Sequence, residues 1–316
     1  MRPITRILTT AALLAAASAP AYADFPEKPV RLIVPFGAGG GTDSLARAVQ
    51  AAIDKHDLLS QPLVVVNADG AAGTIGTRQA LTAEPDGYTI LQIHQEMFSV
   101  SAAGRVDYTP ADFEPILQAT SSCTFVAVPK ESDMQTFDDL VARAKEGNLK
   151  QADAIASATH FPSAQLMEAI GARWTIVPTG GTSARFASLE GGFSDFALLS
   201  TPWVERGSED LRALAIAGPD RFETLPDVPT LHELGYDVEA CLLRRYWAPE
   251  GTPEDVVATL ADAIEAALNT EEVQEQIDAS GETLAILRGD ELQQKIDEEY
   301  QSFVDIADVV RGTSQD

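Results

Sequence analysis

Four glycines lie within five residues, at positions 37, 39, 40 and 41, between an apolar segment that ends at Phe36 and an apolar-periodic segment that starts at Asp43. A strand, a glycine turn and a helix N-terminus in this order suit an anion. Glycine lets the backbone approach a ligand, and the first-turn N–H groups of a helix are unpaired and carry the positive end of its dipole. The alternative is a tight strand-to-helix turn without a ligand. Gly37–Asp43 is therefore a candidate anion site.

Three further loops combine glycine or small residues with hydroxyl groups, and each follows a predicted strand. They are Asn67–Gly76, Ser157–His160 and Thr179–Ser183. Ligands of open α/β sheets bind outside the carboxyl ends of the strands. All four loops are therefore expected to converge on one site.

Strand and helix patterns alternate through almost the whole chain, which indicates parallel α/β architecture. The predicted strands are Val30–Pro35, Leu63–Asn67, Tyr88–Ile93, Thr124–Val128, Ala152–Ser157, Trp174–Pro178, Phe193–Leu199, Leu211–Ala217, Asp237–Leu243 and Thr283–Leu287. The clearest predicted helices are Asp43–Ile53, Phe137–Lys145, Ser163–Ile170, Pro253–Leu268 and Glu291 to about Val310. Ten strands exceed a comfortable single sheet, so we expect two α/β lobes with a cleft between them.

The residues that could perform catalysis do not form a recognisable set. Gly37-x-Gly39 resembles a dinucleotide fingerprint, but Thr42 stands where the third glycine is needed, and no Gly-Lys-Ser/Thr follows for a phosphate loop. The chain has no Gly-x-Ser-x-Gly segment, and its four histidines lack metal-ligand spacing. We therefore expect a binding protein without cofactor or metal. The alternative class is an exported α/β enzyme that acts on a small anionic substrate.

Two arginines are candidates for contact with an anionic ligand. Arg185 follows the Thr179–Ser183 loop, and Arg244 lies in an otherwise apolar segment. A buried arginine needs a partner, which a ligand carboxylate could supply. A salt bridge to one of the 48 acidic residues is the alternative. If the arginine binds ligand, a second acidic group on that ligand is favoured.

The first 23 residues have the pattern of a secretory signal peptide. Arg2 and Arg6 precede an apolar run that is shorter than the ~20 residues of a membrane span, and Ala21-Tyr22-Ala23 forms a small-x-small cleavage site. Cleavage after Ala23 and a periplasmic location are predicted. The formal net charge of −26 argues against nucleic acid and anionic lipid as partners. Cys123 and Cys241 permit one disulfide in an exported protein, or two buried thiols.

Seven stretches together resemble the substrate-binding receptors of tripartite tricarboxylate transporters, the Bug receptors. In chain order they are Phe25–Asp43, Asn67–Gly76, Glu84–Ile90, Leu189–Asp195, Leu211–Ile216, Leu225–Thr230 and Ala248–Pro253. The resemblance implies a two-lobed periplasmic binding protein, type II-like, that closes on a small organic acid such as a di- or tricarboxylate. It also implies delivery of that acid to the membrane subunits of a transporter. A monomer is expected.

The resemblance also implies a division of the chain and a set of ligand-binding residues. Residues 24–122 and 245–316 would form lobe 1, and residues 123–244 would form lobe 2. The hinge strands would lie around Phe113–Val128 and Asp237–Trp247, where Cys123 and Cys241 could meet. The predicted ligand-binding residues are Phe36, Gly39, Gly40, Thr42, Asp43, Gly73, Thr74, Ser157, His160, Thr179, Gly180, Arg185, Asp195 and Arg244.

This sequence departs from the family pattern where ligand choice would be made. Val177-Pro-Thr-Gly-Gly181 lacks the aromatic and cationic residues that many relatives have there. Leu243-Arg-Arg245 replaces a segment that often carries Trp and Gly, and His160-Phe-Pro162 is unlike the usual small polar loop. The resemblance therefore predicts the mechanism but does not predict which acid is bound.

Overall fold

A computed structural model describes residues 25–207 and 209–313 of the chain. Its ten described strands are β1 Val30–Val34, β2 Leu63–Asn67, β3 Thr89–Ile93, β4 Phe113–Pro129, β5 Lys150–Asp153, β6 Thr175–Pro178, β7 Phe196–Ser200, β8 Leu211–Ile216, β9 Cys241–Pro249 and β10 Thr283–Leu287. Its ten described α-helices are α1 Gly41–Lys55, α2 Thr74–Leu81, α3 Glu96–Ala102, α4 Phe137–Lys145, α5 His160–Ile170, α6 Thr182–Glu190, α7 Thr201–Arg206, α8 Glu254–Leu268, α9 Glu271–Ala279 and α10 Gly289–Thr313. The predicted signal peptide lies outside the described residues.

The strands form two sheets that share β4. In sheet A the order is β2-β1-β3-β9-β4, with β10 also paired to β4. In sheet B the second half of β4 pairs with β7 and β8, and β7-β5-β6 continue the sheet. β1, β2 and β3 are parallel in sheet A, as are β5, β6 and β7 in sheet B. We refer to the elements around sheet A as lobe 1 and to those around sheet B as lobe 2.

Helix α1 shows why these segments take their places. Leu45, Val49 and Ile53 recur at a spacing of four, so they share one helical face, and each is at most 3% exposed. That face packs with β1 and with α8 and α9 in one apolar cluster. Burying each such side chain contributes about 1.5–3 kcal/mol, which holds the N-terminus of α1 at the carboxyl end of β1.

The two strands that connect the lobes lie side by side. β4 and β9 pair antiparallel along nearly the whole of β9, and Cys123 is opposite Cys241 in this register. The two cysteines form a disulfide. The structure therefore contains the disulfide and not the two buried thiols. The predicted lobe boundaries at residues 122/123 and 244/245 stay a prediction.

None of the described helices combines the length and apolar character that a bilayer crossing requires.

Candidate ligand-binding site

A cavity of about 270 Å³ lies between the lobes at the carboxyl ends of the parallel strands. We call it the cleft cavity. Lobe 1 contributes Phe36, His94 and Glu96 to its wall, and lobe 2 contributes three segments. Its remaining lining residues are Thr124, Ala154, Ser157, Ala158, Thr159, Gly180, Gly181, Thr182, Arg185, Leu198, Ser200 and Leu242. Loops from both sheets thus converge here, as ligand binding in open α/β sheets requires.

A larger groove of about 730 Å³ lies between α5, β9 and α10 and shares Ala158 with the cleft cavity. Many of its lining side chains are acidic, including Glu168, Asp237, Glu239, Glu298 and Asp305. None of the predicted ligand-binding residues lines it. Such a wall disfavours an organic anion, so we take the smaller cleft cavity as the candidate site.

The first glycine loop ends in an open helix N-terminus. The backbone N–H groups of Gly41, Thr42 and Asp43 have no hydrogen-bond partner among the described residues, whereas that of Ser44 already donates to the Gly40 carbonyl. Gly40 has extended backbone dihedrals and Gly39 has a φ of +83°, which favours glycine. The loop therefore presents three unpaired backbone donors, and its role as an anion cradle stays a prediction.

The side chain of Asp43 connects the two glycine loops of lobe 1 through hydrogen bonds. Its carboxylate is 2% exposed and accepts hydrogen bonds from the Gly39 N–H (2.8 Å), the Arg47 Nε (3.0 Å) and the Asn67 Nδ2 (2.8 Å). Burial by itself would raise the pKa of Asp43, but these hydrogen bonds outweigh it and leave the pKa below its ordinary value. The described contacts of Asp43 are thus internal to the protein.

The second glycine loop packs behind Phe36. Gly73 has a φ of +79°, and a Cβ placed there would lie 3.4 Å from the Phe36 ring. Thr74 follows as the first residue of α2. The Phe36 ring stacks on His94 with centroids 5.0 Å apart. Through Phe36, the wall of the cleft cavity rests on the loop that holds Gly73 and Thr74.

His94 is a neutral hydrogen-bonding group in this wall. Burial, together with the positive charge of Arg244, lowers the pKa of His94 to about 3. Its Nδ1 accepts the backbone N–H of Glu96 at 3.2 Å, so the ring proton is assigned to Nε2.

Asp153 organises the lobe 2 side of the cavity. This carboxylate at the end of β5 is fully buried and accepts hydrogen bonds from the Ala154 N–H (2.7 Å) and the Thr159 hydroxyl (2.7 Å). It also pairs with Arg185, whose Nη2 is 2.9 Å away. The Ser157 hydroxyl donates to the same carboxylate at 3.3 Å. One buried acid therefore positions the loop that follows β5 and one cation.

Arg185 is a buried cation that the protein satisfies only in part. Its side chain is almost fully buried, its Nη1 donates to the Leu198 carbonyl at 3.3 Å, and its Nε has no hydrogen-bond partner. Arg185 therefore forms a salt bridge to an acid and also lines the cleft cavity. A buried guanidinium N–H without a partner is costly, and a ligand oxygen would satisfy it.

Arg244 is also paired with an acid, but it lies behind the cradle and does not line the cavity. Its Nη1 is 2.6 Å from the Glu282 carboxylate, which in turn accepts the Thr120 hydroxyl at 2.7 Å. A Cβ placed on Gly41 would lie only 2.5 Å from the Arg244 Nη2. The guanidinium therefore adjoins the backbone of the first glycine loop.

The structure brings most of the predicted residues to one region. Phe36, Ser157, Gly180 and Arg185 line the cleft cavity, and Thr179 adjoins it with a buried hydroxyl that lacks a hydrogen-bond partner. Six more belong to the two glycine loops, of which the first follows Phe36 in the chain and the second packs against its ring through Gly73, and none of the six lines the cavity. These loop residues are Gly39, Gly40, Thr42, Asp43, Gly73 and Thr74.

Besides Arg244 and the glycine-loop residues, two further predicted residues do not line the cavity. His160 is fully buried at the start of α5, and its Nδ1 accepts the Ala156 N–H at 2.8 Å, so it holds the loop from behind. Asp195 precedes β7, and its carboxylate accepts the Lys150 N–H at 2.8 Å. That is the amino end of these strands, whereas the cavity is at their carboxyl ends. The structure therefore does not bring Asp195 to the cavity.

Glu96, Asp153 and Ser200 were missing from the predicted site. Each stands at or shortly after the carboxyl end of a parallel strand, which is the signal that could have identified them. Glu96 and Asp153 do not stand out in the sequence because the chain has 48 acidic residues.

A ligand-sized cavity between two α/β lobes that two adjacent strands connect defines a two-lobed solute-binding protein. Comparisons with known proteins agree. The sequence profile described as "Tripartite tricarboxylate transporter family receptor" (TctC) matches residues 45–307. Protein BugT of Bordetella pertussis is 31% identical over 324 residues, which cover 98% of either chain. The chain belongs to the tripartite tricarboxylate transporter receptor family.

Two solved structures extend the comparison to the fold. The periplasmic binding protein BugD has a TM-score of 0.71 and 31% identity, over 92% of this chain and 99% of BugD. MatC of Rhodopseudomonas palustris, solved with bound malate, has a TM-score of 0.74 and 27% identity, over 90% of this chain and all of MatC. The predicted family, fold class and receptor rather than enzyme character are thereby confirmed.

Proposed function

We propose that this chain is an extracytoplasmic receptor that closes on a small organic acid with two or three carboxylates and delivers it to a tripartite tricarboxylate-type transporter. The observation that carries the proposal is Arg185, a buried cation with an unpartnered Nε in the wall of the cleft cavity. MatC, a relative of similar fold, binds the dicarboxylate malate. A second acidic group on the ligand is the partner that Arg185 lacks.

The first carboxylate is assigned to the cradle of lobe 1. The unpaired N–H groups at Gly41–Asp43 supply partial positive charge and donors, and Thr42 and Thr74 add hydroxyl groups at the starts of α1 and α2. Arg244 lies behind this loop and contributes a full positive charge to the potential there. Glu282 compensates part of that charge, so the local amides remain the direct ligands in this proposal.

The second carboxylate is assigned to the lobe 2 side. Arg185, the Ser157 hydroxyl and the N-terminus of α6 at Gly181 and Thr182 meet there. Because the two anion sites belong to different lobes, a diacid would bridge them and favour closure, whereas a monoacid would engage one lobe only. Selection of diacids then follows from the geometry of closure.

Export through removal of the predicted signal peptide after Ala23 and action as a monomer complete the proposal. Export agrees with the relative BugD, which is a periplasmic binding protein.

The test is a thermal-shift screen of mono-, di- and tricarboxylates, followed by calorimetry on the best diacid and on its monoacid analogue. Arg185→Gln should weaken diacid binding about tenfold or more and change monoacid binding little, because a charge-assisted hydrogen bond contributes about 1.5–3 kcal/mol. Arg212→Gln is the matched control, since Arg212 is a half-buried lobe 2 arginine outside the cavity.

Two outcomes would contradict the proposal. One is the absence of stabilisation by any carboxylate. The other is an equal loss for diacid and monoacid in a folded Arg185→Gln protein, which would remove the second-carboxylate role. Arg185→Lys, which keeps the charge near Asp153, shows whether a loss reflects the ligand or the fold.

A further inference from the structure

Glu96 places a carboxyl group in the wall of a cavity that otherwise suits anions. Its side chain is 9% exposed and lines the cleft cavity beside Ala158 and Arg185. One oxygen, Oε2, accepts the Ala158 N–H at 3.1 Å. The other, Oε1, has no hydrogen-bond partner within residues 25–207 and 209–313, and Glu96 forms no ion pair there.

A buried carboxyl group in this state needs a proton or a hydrogen-bond donor. Burial raises the pKa of Glu96 to about 7, despite the hydrogen bond from Ala158 and the positive charge of Arg185. When ionised, Glu96 repels a ligand carboxylate placed against it and attracts an O–H or N–H group. The cleft cavity therefore has an acceptor, Glu96 Oε1, in the same wall as Arg185, and no described residue donates a hydrogen bond to it.

We infer that Glu96 makes the cleft selective for organic acids that carry a hydrogen-bond donor, a hydroxyl or an ammonium group, in addition to their carboxylates. The inference rests on the proposed carboxylate-binding function and adds a specificity-determining residue to it. Arg185 and the cradle bind the acidic groups, and Glu96 Oε1 binds the donor.

A purely structural role for Glu96 is the alternative. Its bond to Ala158 joins α3 of lobe 1 to a loop of lobe 2, so it also links the two lobes. Glu96→Gln separates the two roles. The amide carbonyl of Gln keeps the bond to the Ala158 N–H, and its NH2 group then replaces the acceptor Oε1 by a donor.

The experiment compares matched acids of equal carbon length by calorimetry. The series are succinate, malate and aspartate; glutarate, 2-hydroxyglutarate and glutamate; and propionate, lactate and alanine. In the series that binds, the unmodified protein should prefer a donor-bearing member about tenfold or more over the plain acid. Glu96→Gln should reduce that preference to about onefold. Comparison of the hydroxy acid with the amino acid in that series shows whether the site prefers a hydroxyl or an ammonium donor.

Glu114→Gln is the matched control. Glu114 is a half-buried acid on β4 whose pKa is also raised by burial, and it borders a separate groove away from the cleft cavity. This variant should leave the preference unchanged.

A pH series provides a second measurement. Between about pH 6 and 8 Glu96 loses its proton, so the preference for the hydroxy acid should increase as the pH rises, and the Gln variant should show no such increase. The charged or titratable groups that face Glu96 or its neighbouring loop are Arg185, Asp153, Arg105, Tyr108, His94 and His160. Burial lowers the pKa of both histidines, so neither should add a charge in this range.

The outcomes separate this inference from the function beneath it. Binding of plain and donor-bearing acids with equal affinity, unchanged in Glu96→Gln, would overturn the role of Glu96 and leave the carboxylate receptor standing. Binding of no member of any series would contradict the carboxylate function itself, and this inference with it.

Discussion

The backbone of Gly41 touches the guanidinium of Arg244, and this contact leaves no room for a side chain. A Cβ at 41 would lie 2.5 Å from Nη2 and 3.6 Å from the Glu282 Oε1. At neighbouring Gly40 a Cβ would meet only the Gly37 carbonyl, at 3.6 Å. Two adjacent glycines therefore differ sharply in their tolerance of alanine.

Gly41→Ala should lower the free energy of unfolding of the ligand-free protein by about 1–3 kcal/mol, because Arg244 must leave its buried ion pair or α1 must shift. Gly40→Ala should change it by no more than about 0.5 kcal/mol. Urea unfolding of the two variants makes the comparison. Equal stability of both would show that Arg244 moves without cost and does not support the cradle.

Individual site residues were predictable to the extent that their types are scarce. The four glycines at positions 37, 39, 40 and 41 and Arg185 stood out because glycine clusters and arginines after loops are uncommon in this chain. Glu96 and Asp153 did not stand out, because the sequence does not distinguish a buried acidic residue from an exposed one. Only the fold shows which acidic residues are buried. Asp195 was assigned to the site by family resemblance. It lies at the amino ends of β5 and β7, on the opposite side of sheet B from the cavity.

Among the elements, short strands bounded by turns were predicted well and the connecting strand was not. β2 and β10 and helix α4 have the predicted bounds. β4 spans 17 residues, of which the residue pattern predicted only Thr124–Val128 as strand, and the family resemblance extended this to a hinge strand around Phe113–Val128. Its first half contains Gln118, Thr120 and Ser122, which are buried between β9 and β10 but lack the apolar pattern that marks a strand.

The disulfide joins the two strands through which lobe 2 is connected to lobe 1. It encloses a loop with a sequence separation of 118 residues, which contains most of lobe 2. Replacing both Cys123 and Cys241 by Ser should lower the free energy of unfolding by about 2–5 kcal/mol, since the unfolded chain regains the entropy of that loop. The urea midpoint of the unmodified protein with and without a reductant measures the same effect.

The double Ser variant is the control, because its midpoint should not respond to the reductant. Two free thiols titrated in unfolded, non-reduced protein would contradict the bond.

Over the whole molecule, acidic residues outnumber basic ones by 48 to 22. Most of them repel one another across a surface that includes the acidic groove between α5 and α10. Sodium chloride shortens the screening length from about 10 Å at 0.1 M to about 3 Å at 1 M. The melting temperature should therefore rise, by about 2–4 °C for each kcal/mol of repulsion removed.

A thermal melt at several sodium chloride concentrations checks this, with equal osmolality of sucrose as the uncharged comparison. A melting temperature that falls with salt would mean that the described ion pairs of Lys and Arg with acids contribute more than the repulsion, against the small contributions expected of exposed pairs.

Lobe 2 is inserted into lobe 1, and this reverses the order in which the two are finished. β9 fills the place between β3 and β4 in sheet A, yet it follows every strand of sheet B along the chain. A growing chain therefore has lobe 2 complete while β3 and the first half of β4 still present open edges. The disulfide can form only after Cys241 of β9 has been translated, because the chain has no other cysteine for Cys123. Lobe 1, whose first strands are translated earliest, is therefore expected to be completed last, and the disulfide between the hinge strands can form only at that stage.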